Sequence, residues 1–238
     1  MIINKPRLRR AIVPLLYVAG IVVVCGYFIK NPGSKTGAYV LTLANITKLL
    51  FQHVSLVLIS SLIALLIAVP LGVLVSRPRF RRLAGPIDAV INIAQTIPAI
   101  AILAIFYVWL GLGFRTALFA LILKTVLPIF RNTVTGMLGV PAETIEAANG
   151  MGMKAKHTLF WLELPMAMPV IMSGIRVAMV VATSNATLAA FIGAGGLGEL
   201  ILTGVYMMRG SILLAGGITV ALLALLVDSV LGAIEKSL

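Results

Sequence analysis

Six apolar runs, each close to the length of a membrane-crossing helix, take up most of the chain. A bilayer core of about 30 Å is crossed by about 20 apolar residues in a helix. The pattern predicts spans over 11–29, 54–75, 87–111, 116–136, 166–192 and 211–234. The second carries no charge, whereas the third opens beside Asp88 and the sixth holds Asp228 near its end. Lys124 and Arg131 interrupt the fourth, and Arg176 the fifth. The longer connection, 30–52, reads as a turn at "NPGSK" and then an interfacial helix, "YVLTLANITKLLFQHV", leading into the second span. There is no repeat, low-complexity segment or second domain, so residues 1–238 read as a single transmembrane domain.

Composition agrees with the pattern. Hydrophobic residues make up 61% and charged residues 11%, and mean hydropathy is +1.12. A soluble domain carries about twice that charge. The formal charge of +12 does not mark a nucleic-acid binder, because the basic residues sit in short clusters between apolar runs. Such clusters anchor cytoplasmic loops, helped by anionic lipid. With the N-terminus inside, the inner side holds eleven basic residues: Lys5, Arg7, Arg9, Arg10, Arg77, Arg79, Arg81, Arg82, Lys154, Lys156 and Lys236. The outer side holds five, Lys30, Lys35, Lys48, Arg115 and Arg209. Both termini are therefore expected in the cytoplasm. "MIINKPRLRR" and the apolar run after it resemble a secretory signal. The run is longer than a signal core and "YFIKNPGS" offers no small-x-small cleavage site, so a retained helix is expected. The single cysteine, Cys25, allows no disulfide within the chain.

One polar stretch stands out, "EAANGMGMKAKHTLFWLELP" at 146–165, on the expected cytoplasmic side. Pro141 is placed to open a helix, and Glu143 and Glu146 suit the positive end of its dipole. Ala147 and Ala148 give a face with little bulk. Gly150 and Gly152 are placed to end the helix in a sharp turn. A second short helix from Lys154 through Phe160 and Trp161 is expected to close at Pro165. From the residues alone this is either a surface helix with no partner or a unit gripped in a groove of another protein.

The spacing of this stretch resembles the EAA loop of ABC-importer permeases. The matching positions are Glu146, Ala147, Ala148, Gly152, Leu162, Leu164 and Pro165, with Leu162 where isoleucine is usual. The resemblance implies a coupling helix, within 140–165, that docks on a cytoplasmic ATPase. More widely, "QTIPAIAILAIF", "LPIFRNTVTGM" and "ATLAAFIGAGGLGELI" resemble osmoprotectant permeases, those for glycine betaine, carnitine and choline. Ser184 and Lys124 depart from that pattern, standing where a glycine and an uncharged residue are expected. The resemblance implies an all-α type I ABC importer permease fold. A five-helix core over 51–234 would carry one added N-terminal helix, 11–29. It also implies a second permease copy or paralogue, ATPase subunits that bind ATP and Mg, and an extracytoplasmic solute-binding protein. The chain itself has no P-loop, no nucleophile–base set and no metal-ligand spacing, so neither ATP hydrolysis nor a bound cofactor is expected of it. Two rivals stand beside this reading. One is a permease of the same type for another solute, such as an amino acid. The other is a non-transporting membrane anchor for an ATPase.

Residues for a translocation path are Gln95, Thr96, Pro98, Lys124, Asn132, Ser184, Asn185 and Thr187. Pro98 is expected to kink the third span, beside a path or as a packing feature. Lys124 lies about 12 Å into its helix, where a charge either serves function or sits in a buried pair. Asp228, about 25 Å from the outer end of the sixth span, is expected to lie too deep to meet it. Arg131 and Arg176 are expected to brace the cytoplasmic loop, and His53 and His157 to take surface or interfacial positions. "GAGGLG", with Gly193, Gly195, Gly196 and Gly198, formally matches a dinucleotide fingerprint. It follows a membrane helix and no βαβ unit, so it reads as a tight outer turn.

Overall fold

A computed structural model describes residues 5–237 and contains only helices and their connections among them. The helices are α1 (Lys5–Lys30), α2 (Lys35–Val40), α3 (Leu43–Ser76), α4 (Ala84–Thr96), α5 (Ala99–Leu110) and α6 (Phe114–Leu138). They continue with α7 (Ala142–Gly150), α8 (Ala155–Thr158), α9 (Leu164–Asn185), α10 (Gly198–Tyr206) and α11 (Gly210–Glu235). Among the described residues five helical stretches are long and apolar enough to cross a membrane, Ile12–Lys30, Leu43–Ser76, Phe114–Leu138, Ala155–Ile192 and Gly210–Glu235. This is an all-α, multi-pass membrane protein.

The expected third span is not one kinked helix. It is two helices, α4 and α5, separated by extended backbone at Ile97 and Pro98. Proline restricts the residue before it to extended conformations, so the break falls on Ile97. The expected interfacial helix of the outer connection is also absent as a separate element. Only the six residues of α2 stand apart, and "LANITKLLFQHV" is already part of α3. Thr42 explains the start of α3, because its hydroxyl accepts from Asn45 N–H at 3.2 Å. The fifth span leaves α-helical geometry after Asn185 and continues as a 3-10 turn, Ala186–Ile192.

The centre of the molecule is the mutual packing of α3, α6 and α9. Lipid tails supply no hydrophobic drive between helices, so close backbone approach through small residues matters most. A Cβ on Gly72 would lie 2.7 Å from Thr133, and one on Gly136 would lie 3.0 Å from the Ala167 carbonyl. Gly174 is tighter, with Asn132 Cβ at 2.5 Å and the Pro128 carbonyl at 2.8 Å. Around these contacts Ala64, Ala68, Ile129, Phe130 and Ala178 form a buried layer. α11 packs on α9 and α10, and α1 packs mainly on α11 at the edge of the bundle.

Arginine–carboxylate pairs join helices. Arg176 Nε and Nη2 donate to Asp228 at 2.7 and 2.8 Å, and Nη1 donates to Glu235 at 3.0 Å. Arg176 therefore ties α9 to α11 instead of bracing the loop, and Asp228 finds its partner there. Gly232 makes room for the guanidinium, which lies 2.9 Å from where a Cβ would stand. Arg131 likewise departs from the expected loop role. It donates to Asp88 at 2.8 Å and to Asn92 at 2.6 Å, fastening α4 to α6.

Candidate functional site

The polar stretch folds as a helix, a turn and a second helix on the side where α6 ends and α9 begins. Pro141 is the cap residue, so α7 starts one position later than expected, at Ala142. The turn after α7 is a Schellman closure. Met153 N–H bonds the Ala148 carbonyl at 3.0 Å, and Gly152 N–H bonds that of Asn149 at 2.9 Å. Gly152 has φ +79°, and a Cβ there would meet nothing within 4 Å. The backbone angle, not space, calls for glycine.

The two alanines do not share a face. Ala148 is 2% exposed, while Ala147 and Glu146 face outward. Pro165 does not close a second short helix either. α8 runs through a π-helical stretch, Leu159–Glu163, into α9, and Pro165 sits in the first turn of α9 where no N–H is required. The wider turn swings Phe160 and Trp161 outward while Glu163 stays buried. Gly152, Met153, Lys154, His157 and Trp161 line an open hollow of about 430 Å³ beside the turn.

Glu163 was not singled out from the sequence, yet it anchors this stretch. Arg77 Nη1, at the end of α3, donates to Glu163 Oε1 at 2.9 Å. Nη2 lies 2.8 Å from Oε2 but off the hydrogen-bond axis, so that contact is ionic. Breaking a pair with one partner this buried leaves an uncompensated charge. A carboxylate immediately before "LP" carries no periodic signal, and only the fold brings α3 to it.

A second polar region lies at the α4–α5 break. Here the structure brings together three residues expected along a path. Gln95 Nε2 donates to the Lys124 carbonyl at 2.7 Å. Lys124 Nζ donates to the Gln95 carbonyl at 2.8 Å and to that of Ile97. Lys124 and Asn185 share a water-sized cavity of about 10 Å³ with Ala99, Leu103, Ala117 and Ala189. The others stand apart. Thr96 bonds the Ile93 carbonyl of its own helix at 2.8 Å, and Pro98 caps α5. Asn132, eight residues below Lys124, bonds the Pro128 carbonyl at 2.9 Å beneath Gly174. Ser184 and Thr187 bond the Val180 and Ser184 carbonyls at 3.3 and 2.8 Å. Asp88 and Asn92 join Gln95 at helical spacing, a polar stripe that periodicity alone could have revealed.

The glycine turn is tightly packed. Gly193 closes the 3-10 turn at φ +68°, and Gly195, Gly196 and Gly198 are buried. Gly196 N–H donates to Gln52 Oε1 at 3.1 Å. A Cβ on Gly195 would fall 2.3 Å from that oxygen, and one on Gly198 would fall 2.0 Å from the Thr187 carbonyl. The turn thus presses onto α3. His53 beside it is fully buried, not superficial, with Nε2 3.0 Å from the Thr183 carbonyl. His157 is exposed on the polar stretch.

Comparison with known proteins places these features in context. The family model described as "Binding-protein-dependent transport system inner membrane component" matches residues 68–238. The glycine betaine/carnitine/choline transport system permease protein OpuCD of Bacillus subtilis is 40% identical over 206 residues, 86% of each chain. The choline transport system permease protein OpuBB of the same organism is 42% identical over 188 residues, covering 79% of this chain and 86% of that one. The osmoprotectant import permease protein OsmY of Salmonella typhimurium is 43% identical over 180 residues, 76% of each. The fold is that of a chain of the MetNI methionine ABC transporter in an inward-facing conformation. The TM-score is 0.74 at 21% identity, over 86% of this chain and 98% of that one.

Proposed function

The chain belongs to the family of binding-protein-dependent transport system inner membrane components, and from that premise we propose that it is the permease of an osmoprotectant importer. Its solute class is small quaternary-ammonium compounds, glycine betaine, carnitine or choline. One observation carries this reading: identity of 40–42% with two Bacillus subtilis relatives whose names state that chemistry, beside 43% with a Salmonella typhimurium relative named for osmoprotectant import. Here α1 is an addition beside the core helices. The chain lies in the cytoplasmic membrane of a prokaryotic cell with both termini inside. Two permeases, a second copy or a paralogue, sit on two ATPase subunits that bind ATP and Mg, and an extracytoplasmic binding protein delivers solute. This chain contributes the path and the coupling surface, and hydrolysis belongs to the partner.

The exposed Glu146, Ala147 and Trp161 and the hollow beside Gly152 form the surface offered to the ATPase. Leu162 and Leu164, half-buried, secure it to the bundle. Arg77–Glu163 and the continuous passage from α8 to α9 would carry a displacement of that surface into α3 and α9. Rigid-body rocking of the bundle then alternates access to a path beside the α4–α5 break, Thr96, Asn185, Ser184 and Thr187.

Reconstitution in proteoliposomes with the cognate ATPase and binding protein tests the reading. Labelled glycine betaine, carnitine or choline is expected to accumulate only with ATP inside the ATPase-facing compartment. Accumulation of an amino acid instead would establish the rival solute class, and ATP turnover with no solute movement would establish an anchor.

Orientation has its own test, in a Cys25→Ala background. Lys35→Cys and Met208→Cys, both exposed on the expected outer side, should react with an impermeant maleimide added to intact cells. Lys156→Cys should react only after permeabilisation. Reversed labelling would put the polar stretch outside and end the ATPase contact.

A further inference from the structure

Two prolines leave backbone vacancies that face one another. In an α-helix the carbonyl of residue 124 takes its hydrogen bond from the N–H of residue 128. Pro128 has none, yet α6 runs through it unbroken from Phe114 to Leu138. The Lys124 carbonyl is therefore open, and Gln95 Nε2 fills it at 2.7 Å. Across the gap, α4 ends at Thr96 because Pro98 follows, and the last carbonyls of a helix have no donor of their own. Two carbonyls there, Gln95 and Ile97, are filled by Lys124 Nζ. The ammonium also meets the negative end of the α4 dipole. Each helix thus supplies the side chain that completes the other's interrupted backbone.

We infer that Gln95 and Lys124 form a reciprocal latch that fixes the broken third span against α6, as positioning residues that act on transport through the backbone. The inference rests on the permease reading for its kinetic consequences. It assigns Lys124 a task other than meeting the solute's charge.

The test uses the complete transporter in proteoliposomes and two solutes, zwitterionic glycine betaine and cationic choline. Gln95→Met and Lys124→Met should each lower the maximal uptake rate about tenfold, the scale set by leaving a buried carbonyl unmatched. KM for both solutes should stay within about twofold, since no solute contact is removed. The double variant should be no slower than the slower single one, because both act on one junction. The decisive background is Pro128→Ala, which returns an N–H to the Lys124 carbonyl. There Gln95→Met should cost almost nothing. Equal damage from Gln95→Met with and without Pro128 would overturn the latch. So would a Lys124→Met effect confined to the KM for betaine, which would show the ammonium touching the solute's carboxylate. If Lys124→Met fails to accumulate in membranes, Gln95→Met against Pro128→Ala carries the test by itself. Thermal unfolding of the purified permease across the same Gln95/Pro128 cycle reads the latch without transport. A transporter that moves none of the solutes would therefore refute the permease reading while leaving the latch to be decided by that cycle.

Discussion

Replacing Gly152 by proline abolishes ATP-driven uptake while the permease remains in the membrane. Glycine at 152 has φ +79°, and proline is held near −65°. Proline also removes the N–H that closes α7 on the Asn149 carbonyl. The Schellman closure cannot form, and the hollow bordered by Met153, Lys154 and Trp161 loses its shape. The bundle should be untouched, since a Cβ at this position meets nothing within 4 Å. Uptake should fall to background, membrane level should stay near that of the parent, and capture of the ATPase by the purified permease should weaken. Glu146→Lys, which reverses an outward-facing charge without altering the turn, should weaken capture in the same way. Normal uptake by Gly152→Pro would separate this turn from the motor.

The second large effect is expected at the opposite kind of glycine. Gly174 adopts ordinary helical geometry, and its constraint is space. A Cβ would lie 2.5 Å from Asn132 Cβ and 2.8 Å from the Pro128 carbonyl. The carbonyl is backbone of α6 and cannot swing aside. Gly174→Leu should force α6 and α9 apart at about 3 kcal/mol or more, the upper range of overpacking. It should lower both membrane accumulation and the unfolding temperature. Gly217→Ala is the control. A Cβ on Gly217 meets nothing within 4 Å, and alanine favours a helix over glycine by about 1 kcal/mol. That variant should be as stable as the parent or slightly more so. If Gly174→Leu accumulates and unfolds like the parent, the α6–α9 interface is looser than its small residues imply.

The two glycines separate what was legible in the chain from what was not. Six apolar runs, the polar stretch among them and the glycine that turns it could be read directly, because each depends on local composition or local backbone geometry. Asp88, Asn92 and Gln95 share a helical face in the sequence as well. Pro128 announces that the carbonyl four residues before it must find a donor elsewhere, and Pro98 announces an end to α4 that leaves its last carbonyls open. The identity of the donor is not local. Gln95 and Lys124 meet those carbonyls only because α4 and α6 lie side by side. Arg77 reaches Glu163, and Arg176 reaches Asp228, for the same reason. His53 looked superficial because an isolated histidine in an apolar run has no partner in its own helix, yet the glycine turn folds over it and the Thr183 carbonyl meets it. Which segments are apolar enough to cross a membrane, and where backbone bonds must fail, follow from the chain alone, because hydrophobicity and proline chemistry act within a few residues. Which side chains complete those bonds and neutralise those charges depends on helix packing, because a buried group must pair with whatever another helix brings within about 3 Å.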